Sequence, residues 1–141
     1  MQESTHFLTV RELAESLSSG EMTSVQLTQM YLDRAQELDP PPFDLPSEPR
    51  PDHEGQLSTM VTIAREHALE SAERADAELR SGRRRSILHG IPYGVKDLLD
   101  TDGIRTTWGS GIFRDRVPDR NAAVIDKLAE AGAVLMAKMS L

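Results

Sequence analysis

Val10, Leu13, Ala14 and Leu17 fall three or four residues apart, so they share one face of a helix. Thr9 followed three residues later by Glu12 is a capping-box pattern that starts this helix, and Gly20 stops it. Thr23 with Gln26 repeats the start signal. Leu27, Met30, Tyr31, Ala35 and Leu38 then recur at helical spacing, which predicts a second, longer helix running to Pro40. Between Pro40 and Gln56 the pattern vanishes. Six prolines (Pro40, Pro41, Pro42, Pro46, Pro49 and Pro51) are interspersed with Asp, Glu and Ser, which disfavours helix and strand alike and predicts an exposed loop over 40–56.

Residues 57–63 alternate apolar and hydroxyl side chains and are enriched in β-branched types, predicting a strand with one buried face. Residues 64–80 are rich in Ala, Glu and Arg and close with Ser81-Gly82, as a helix does. Arg83, Arg84 and Arg85 read as a solvated loop after that helix, with no function assigned. A glycine-punctuated apolar stretch from Ile87 then feeds a strand ending near Lys96. Asp102-Gly103 marks a tight turn, with 104–107 as a short extended segment beyond it. Asn121 begins a helix with apolar positions Val124, Ile125, Leu128 and Ala129; Gly132 ends it, and 133–137 form a buried strand.

Helix, glycine and buried strand in that order are the closing half of a βαβ crossover, so the fold class is α/β: a parallel or mixed β-sheet flanked by helices. No helix follows the last strand. A complete domain stopping there is expected to expose apolar sheet surface, so the pattern predicts an incomplete sheet in a truncated chain, prone to aggregate by itself.

Composition narrows the function classes. The 141 residues carry 16 Lys plus Arg against 23 Asp plus Glu, a net charge of -7 that disfavours nonspecific attraction to nucleic acid or to an anionic membrane. No cysteine is present, so disulfides, thiolate nucleophiles and cysteine-ligated metals are excluded, and the compartment is left open with a lean towards the cytoplasm. Residues 1–6 lack the basic-then-apolar order of a secretory signal, and no apolar run approaches the roughly 20 residues needed to cross a bilayer. His6, His53, His67 and His89 are too scattered to suggest a metal site, and no cofactor is implied.

Lysine is scarce: Lys96, Lys127 and Lys138 stand against thirteen arginines, and Lys96 sits in the glycine-punctuated strand. An ammonium there either pairs with a carboxylate, for which Asp97 and Asp100 are local candidates, or loses its proton because desolvation favours the neutral amine. A phosphate-cradling loop is the obvious competitor and fails on detail: Val95 precedes the lysine where glycine is needed, and Asp97 follows where Ser or Thr is needed. Ser110, in Trp108-Gly109-Ser110-Gly111, lacks the spacing of a nucleophile elbow and reads as a turn.

The run Leu88-His89-Gly90-Ile91-Pro92-Tyr93-Gly94-Val95-Lys96-Asp97, continued by Asp100, Gly103, Thr106-Thr107 and Gly109-Ser110, closely resembles the first conserved block of amidase-signature enzymes. The resemblance extends to residues 131–138, and more loosely to 57–62 and the two N-terminal helices. It departs at Met139-Ser140-Leu141, where the family commonly has Thr-Asn-Leu. It implies that residues 1–141 are the N-terminal portion of an amidase-signature domain, with 40–56 as an insertion. It also implies a triad of Ser, cis-Ser and Lys acting on small-molecule amides, with Lys96 as the catalytic lysine and general base for the nucleophilic serine.

For that role the amine must be neutral, and moving it from about 10.4 to near 7 costs roughly 4 to 5 kcal/mol, which only a largely closed site can impose. The family's serines and oxyanion-binding amides lie in a Gly/Ser-rich block downstream, and no Gly-Ser-Ser-Gly pattern occurs in this chain, so the chain alone is expected to be inactive. Two alternatives stand beside amide hydrolysis. One is a fragment of the tRNA-dependent amidotransferase A subunit, and the other is a noncatalytic helical binding module. Neither nucleic acid nor membrane is an expected partner of the leading reading, and the oligomeric state is left open.

Overall fold

The computed structural model describes residues 5–38 and 59–140, which form four α-helices and three strands. In order these are α1 (Val10–Ser19), α2 (Ser24–Leu38), β1 (Met60–Ile63), α3 (Arg65–Arg80), β2 (Pro92–Lys96), a short 3₁₀ turn (Gly111–Phe113), α4 (Ala123–Glu130) and β3 (Val134–Met139). The fold is α/β with a small mixed sheet. The predicted 40–56 loop and the first residues of the predicted 57–63 strand lie outside the described residues.

Both capping boxes form as the sequence dictates. Thr9 Oγ1 accepts the Glu12 amide at 3.3 Å while Glu12 Oε2 accepts the Thr9 amide at 2.7 Å. At α2 the Gln26 amide donates to Thr23 Oγ1 at 3.1 Å and the Thr23 amide to Gln26 Oε1 at 2.9 Å. These reciprocal bonds satisfy backbone donors that a helix N-terminus otherwise leaves orphaned.

The strand order is β1-β3-β2, with β1 antiparallel and β2 parallel to β3. The predicted crossover is therefore β2, α4, β3. The predicted open last strand is not what forms. β3 is the centre of the sheet, buried at five of its six positions, because β1 pairs along the edge that β2 leaves free. The exposed edges belong to β1 and β2. β1 is half-buried at all four residues and shows no one-sided alternation.

Side chains at the start of β3 point to alternate faces, until a register shift opposite Tyr93 and Gly94 brings Met136 and Ala137 into one cluster. Val134 and Met136 pack with Leu32 and Ala35 of α2 and Ala68 and Ala72 of α3, whose alanines bring both helices close to the sheet. Leu135 packs on the other face with Val95, Ile104 and Ile125 of α4. Leu13, Ala14 and Leu17 of α1 close on Leu27 and Ile91.

Two other expectations change in detail. Residues 104–107 join no strand; they form a loop held by backbone bonds from Gly103 to Pro118 and from Thr106 to Arg116. Arg83 and Arg84 are exposed as expected, whereas Arg85 forks onto Glu78 at 2.7 and 2.5 Å and donates to the Ala129 carbonyl, tying α3 to the end of α4.

Candidate active site around Lys96

Lys96 is the last residue of β2, paired in register with Met139. Val95 before it turns into the core, so strand alternation sends Lys96 to the opposite face, where the residue is exposed. Among the described residues it forms no ion pair. The two local carboxylates are engaged elsewhere, and the sheltered environment expected for a neutral amine is absent here. A cleft of about 430 Å³ between α3 and α4, lined by residues that include His67, Arg74, Glu78, His89 and Tyr93, does not include Lys96.

Immediately after Lys96 the chain is locked. The Asp97 amide donates to the Met139 carbonyl at 2.9 Å, extending the ladder by one bond, and the Asp97 carbonyl accepts the Trp108 amide at 3.2 Å. Its carboxylate is fully buried: Oδ2 accepts the Thr107 amide at 2.9 Å and the Thr107 hydroxyl, while Oδ1 is buried without a partner among the described residues. Trp108 takes up φ 54°, a backbone conformation uncommon for a bulky residue, and so reverses the chain at the expected turn.

The buried lysine of the fold is Lys138. Its Nζ donates to the Leu99 carbonyl, and to the hydroxyls of Thr101 and Thr106 at 2.9 Å each, filling its three donor positions. Burial lowers its pKa, and the negative charges of Asp97 and Asp100 oppose that shift. Asp100 is held below its ordinary carboxylate range chiefly by hydrogen bonds from Arg116, whose two nitrogens lie 2.7 and 2.6 Å from its oxygens. Trp108 Nε1 donates to the same carboxylate at 3.0 Å, and the Arg116 guanidinium stacks 4.3 Å from the indole centroid.

Sequence reasoning singled out Lys96, Asp97 and Asp100 but not Lys138, Thr101, Thr106 or Arg116 as parts of one cluster. A signal existed: Lys138 continues the apolar run of a strand read as buried, and a lysine there needs acceptors close by.

A family model described as Amidase matches residues 52–141, more than half of the chain. The chain belongs to the amidase family. Among curated relatives, this amidase-family chain is 32% identical to the glutamyl-tRNA(Gln) amidotransferase A subunit of Thermoanaerobacter pseudethanolicus and 37% identical to that of Dehalococcoides mccartyi. Each alignment takes in 95% of this chain and 24% of the relative. Among solved structures, the native peptide amidase of Stenotrophomonas maltophilia superposes with a TM-score of 0.81 at 32% identity, over 96% of this chain and 25% of that one. An amidase family protein from Bacillus anthracis gives 0.81 at 29% identity, over 98% and 25%. The chain thus spans about a quarter of the length of the relatives it matches.

Proposed function

We propose that residues 1–141 are the lysine-bearing N-terminal portion of an amidase-signature domain, with 40–56 as an insertion, and that Lys96 is the general base of amide hydrolysis in the whole enzyme. The observation that carries this reading is the place of Lys96, in the family's motif at the tip of β2 and within the residues that the Amidase model matches. Asp97, Thr107 and Lys138 are buried and bonded into the fold, while Lys96, at the tip of β2 and inside the family's motif, is left exposed and uncommitted. The exposure itself does not favour the role, which requires the amine to be enclosed by the part of the enzyme that this chain does not span.

In this scheme neutral Lys96 accepts a proton from a bridging serine, which takes one from the nucleophilic serine as that oxygen attacks the amide carbonyl. Collapse of the tetrahedral adduct expels the amine, which carries away a proton returned through the same relay, and water then releases the acyl group. Both serines and the enclosure that neutralises the amine belong to the roughly three quarters of an amidase that this chain does not span. Alone, the chain is expected to be inactive.

A second reading is favoured by the names of the curated relatives: the chain is the corresponding part of an amidotransferase that acts on glutamyl-tRNA(Gln). Hydrolysis ranks first because the well-superposed Stenotrophomonas protein is a peptide amidase. The test is a chimera in which this chain replaces the matched quarter of that enzyme, assayed for ammonia release from peptide amides. The chimera is expected to be active, and Lys96→Ala to cut the rate by about 10²-fold or more. A folded, active chimera indifferent to Lys96→Ala overturns the reading. Ammonia release from glutamine that requires charged tRNA would favour the second.

A further inference from the structure

Two residues of opposite charge, Asp97 and Lys138, are both completely buried on either side of the 97–107 loop, yet they do not form an ion pair with each other. Each instead grips the loop. Asp97 holds its far end through Thr107 and Trp108, and Lys138 holds its near end through Leu99 and Thr101 and its far end through Thr106. The two grips share one foundation, because Lys138 is the register partner of Val95, and Met139, next along β3, is the partner of Lys96.

We infer that Asp97 and Lys138 are positioning residues for Lys96, acting as a strut that fixes where β2 ends and therefore where the Lys96 amine is presented. The inference rests on the reading of Lys96 as the reacting amine. Physically, a buried charge without compensation is costly, so neither residue can move without exposing the other to that cost, and the strand tip between them is held from both sides. Lys96 gains from this a fixed root, while its side chain forms no ion pair among the described residues.

The test uses the 141-residue chain with carbon-labelled lysine, which gives separate ε-methylene resonances for Lys96, Lys127 and Lys138. Thr106→Val and Thr107→Val each remove one hydrogen bond from a grip without changing side-chain size much, and Lys138→Met removes one half of the strut. Each variant is expected to shift the Lys96 resonance and leave that of Lys127, on α4, in place. Leu32→Ala, in the cluster under α2, supplies a destabilised control in which neither signal moves. Should Lys138→Met fail to fold, the two valine variants decide. A Lys96 resonance that stays put while Tm falls, or that moves only together with Lys127, overturns the inference. This readout involves no catalysis, so its failure is distinct from that of the chimera assay.

Discussion

Asp76 on α3 caps the N-terminus of α2: its Oδ1 accepts the backbone amide of Ser24 at 2.7 Å, and its Oδ2 accepts the next amide, Val25, at 3.1 Å. A carboxylate 52 residues away in sequence thus completes the cap that Thr23 begins, and its charge meets the positive end of the helix dipole. The Ser24 hydroxyl donates to the Gly90 carbonyl at 2.7 Å, so α2, α3 and the segment entering β2 meet at one buried point. Asp76→Ala strands one buried and one half-buried amide and is expected to cost about 2 to 3 kcal/mol in urea denaturation. Asp76→Asn, which keeps one acceptor oxygen, should lose less. Equal losses for the two would show that the charge, and not the geometry, dominates.

Gly132 sits at φ 84°, between α4 and β3, and a Cβ there would lie 2.9 Å from the ring of buried His89. His89 has little room to yield, since its Nδ1 accepts the Arg85 amide at 2.9 Å. Gly103 has a similar φ of 69° with open space around it. Gly103→Ala should therefore cost about 1 to 2 kcal/mol from backbone strain alone. Gly132→Ala should add about 1 to 3 kcal/mol of overpacking to that. Thermal melts of the two variants side by side check the difference.

What was legible in the sequence was local. The capping boxes at Thr9 and Thr23, the helix before Gly132 and the strand after it all follow from residues a few positions apart. The misplaced strand was not local: whether β3 lies open or central depends on Met60 meeting Met139 and Ile63 meeting Ala137, pairings that no short window contains. The same holds for Asp76, whose role exists only once α3 lies across the start of α2. At the site, the motif located Lys96, but its exposure, and the burial of Lys138 in its place, followed from which face each residue of β2 and β3 was given by packing.

Tyr93, whose neighbours in β2 are Pro92 and Gly94, has its phenol pushed up to about 12 by desolvation. In the unfolded chain it ionises near 10. Because the folded value is the higher one, its contribution to stability is complete below about pH 10 and is lost as pH rises through about 12. Denaturation midpoints are thus expected to fall over that alkaline window in the parent chain, and to fall less in Tyr93→Phe. Tyr31, also raised by burial, remains in both proteins and supplies a common background. Identical alkaline slopes for the two would contradict the burial of the phenol.

Lys96 and Lys138 permit the sharpest separation of chemistry from architecture, because they lie on adjacent strands and differ in almost every environmental respect. Lys96 is exposed and unpaired among the described residues, so Lys96→Ala should leave stability within about 0.5 kcal/mol of the parent. Lys138→Ala removes three hydrogen bonds, opens a cavity and leaves buried Asp97 without a compensating charge, so a loss of about 3 to 5 kcal/mol is expected. Urea titrations of both variants under identical conditions measure this. Indifference of stability to Lys96→Ala is common to exposed lysines, so it allows the catalytic role without arguing for it. If Lys96→Ala instead destabilised the chain as much as Lys138→Ala, Lys96 would be a structural residue, and a loss of activity in its variants could no longer be assigned to chemistry.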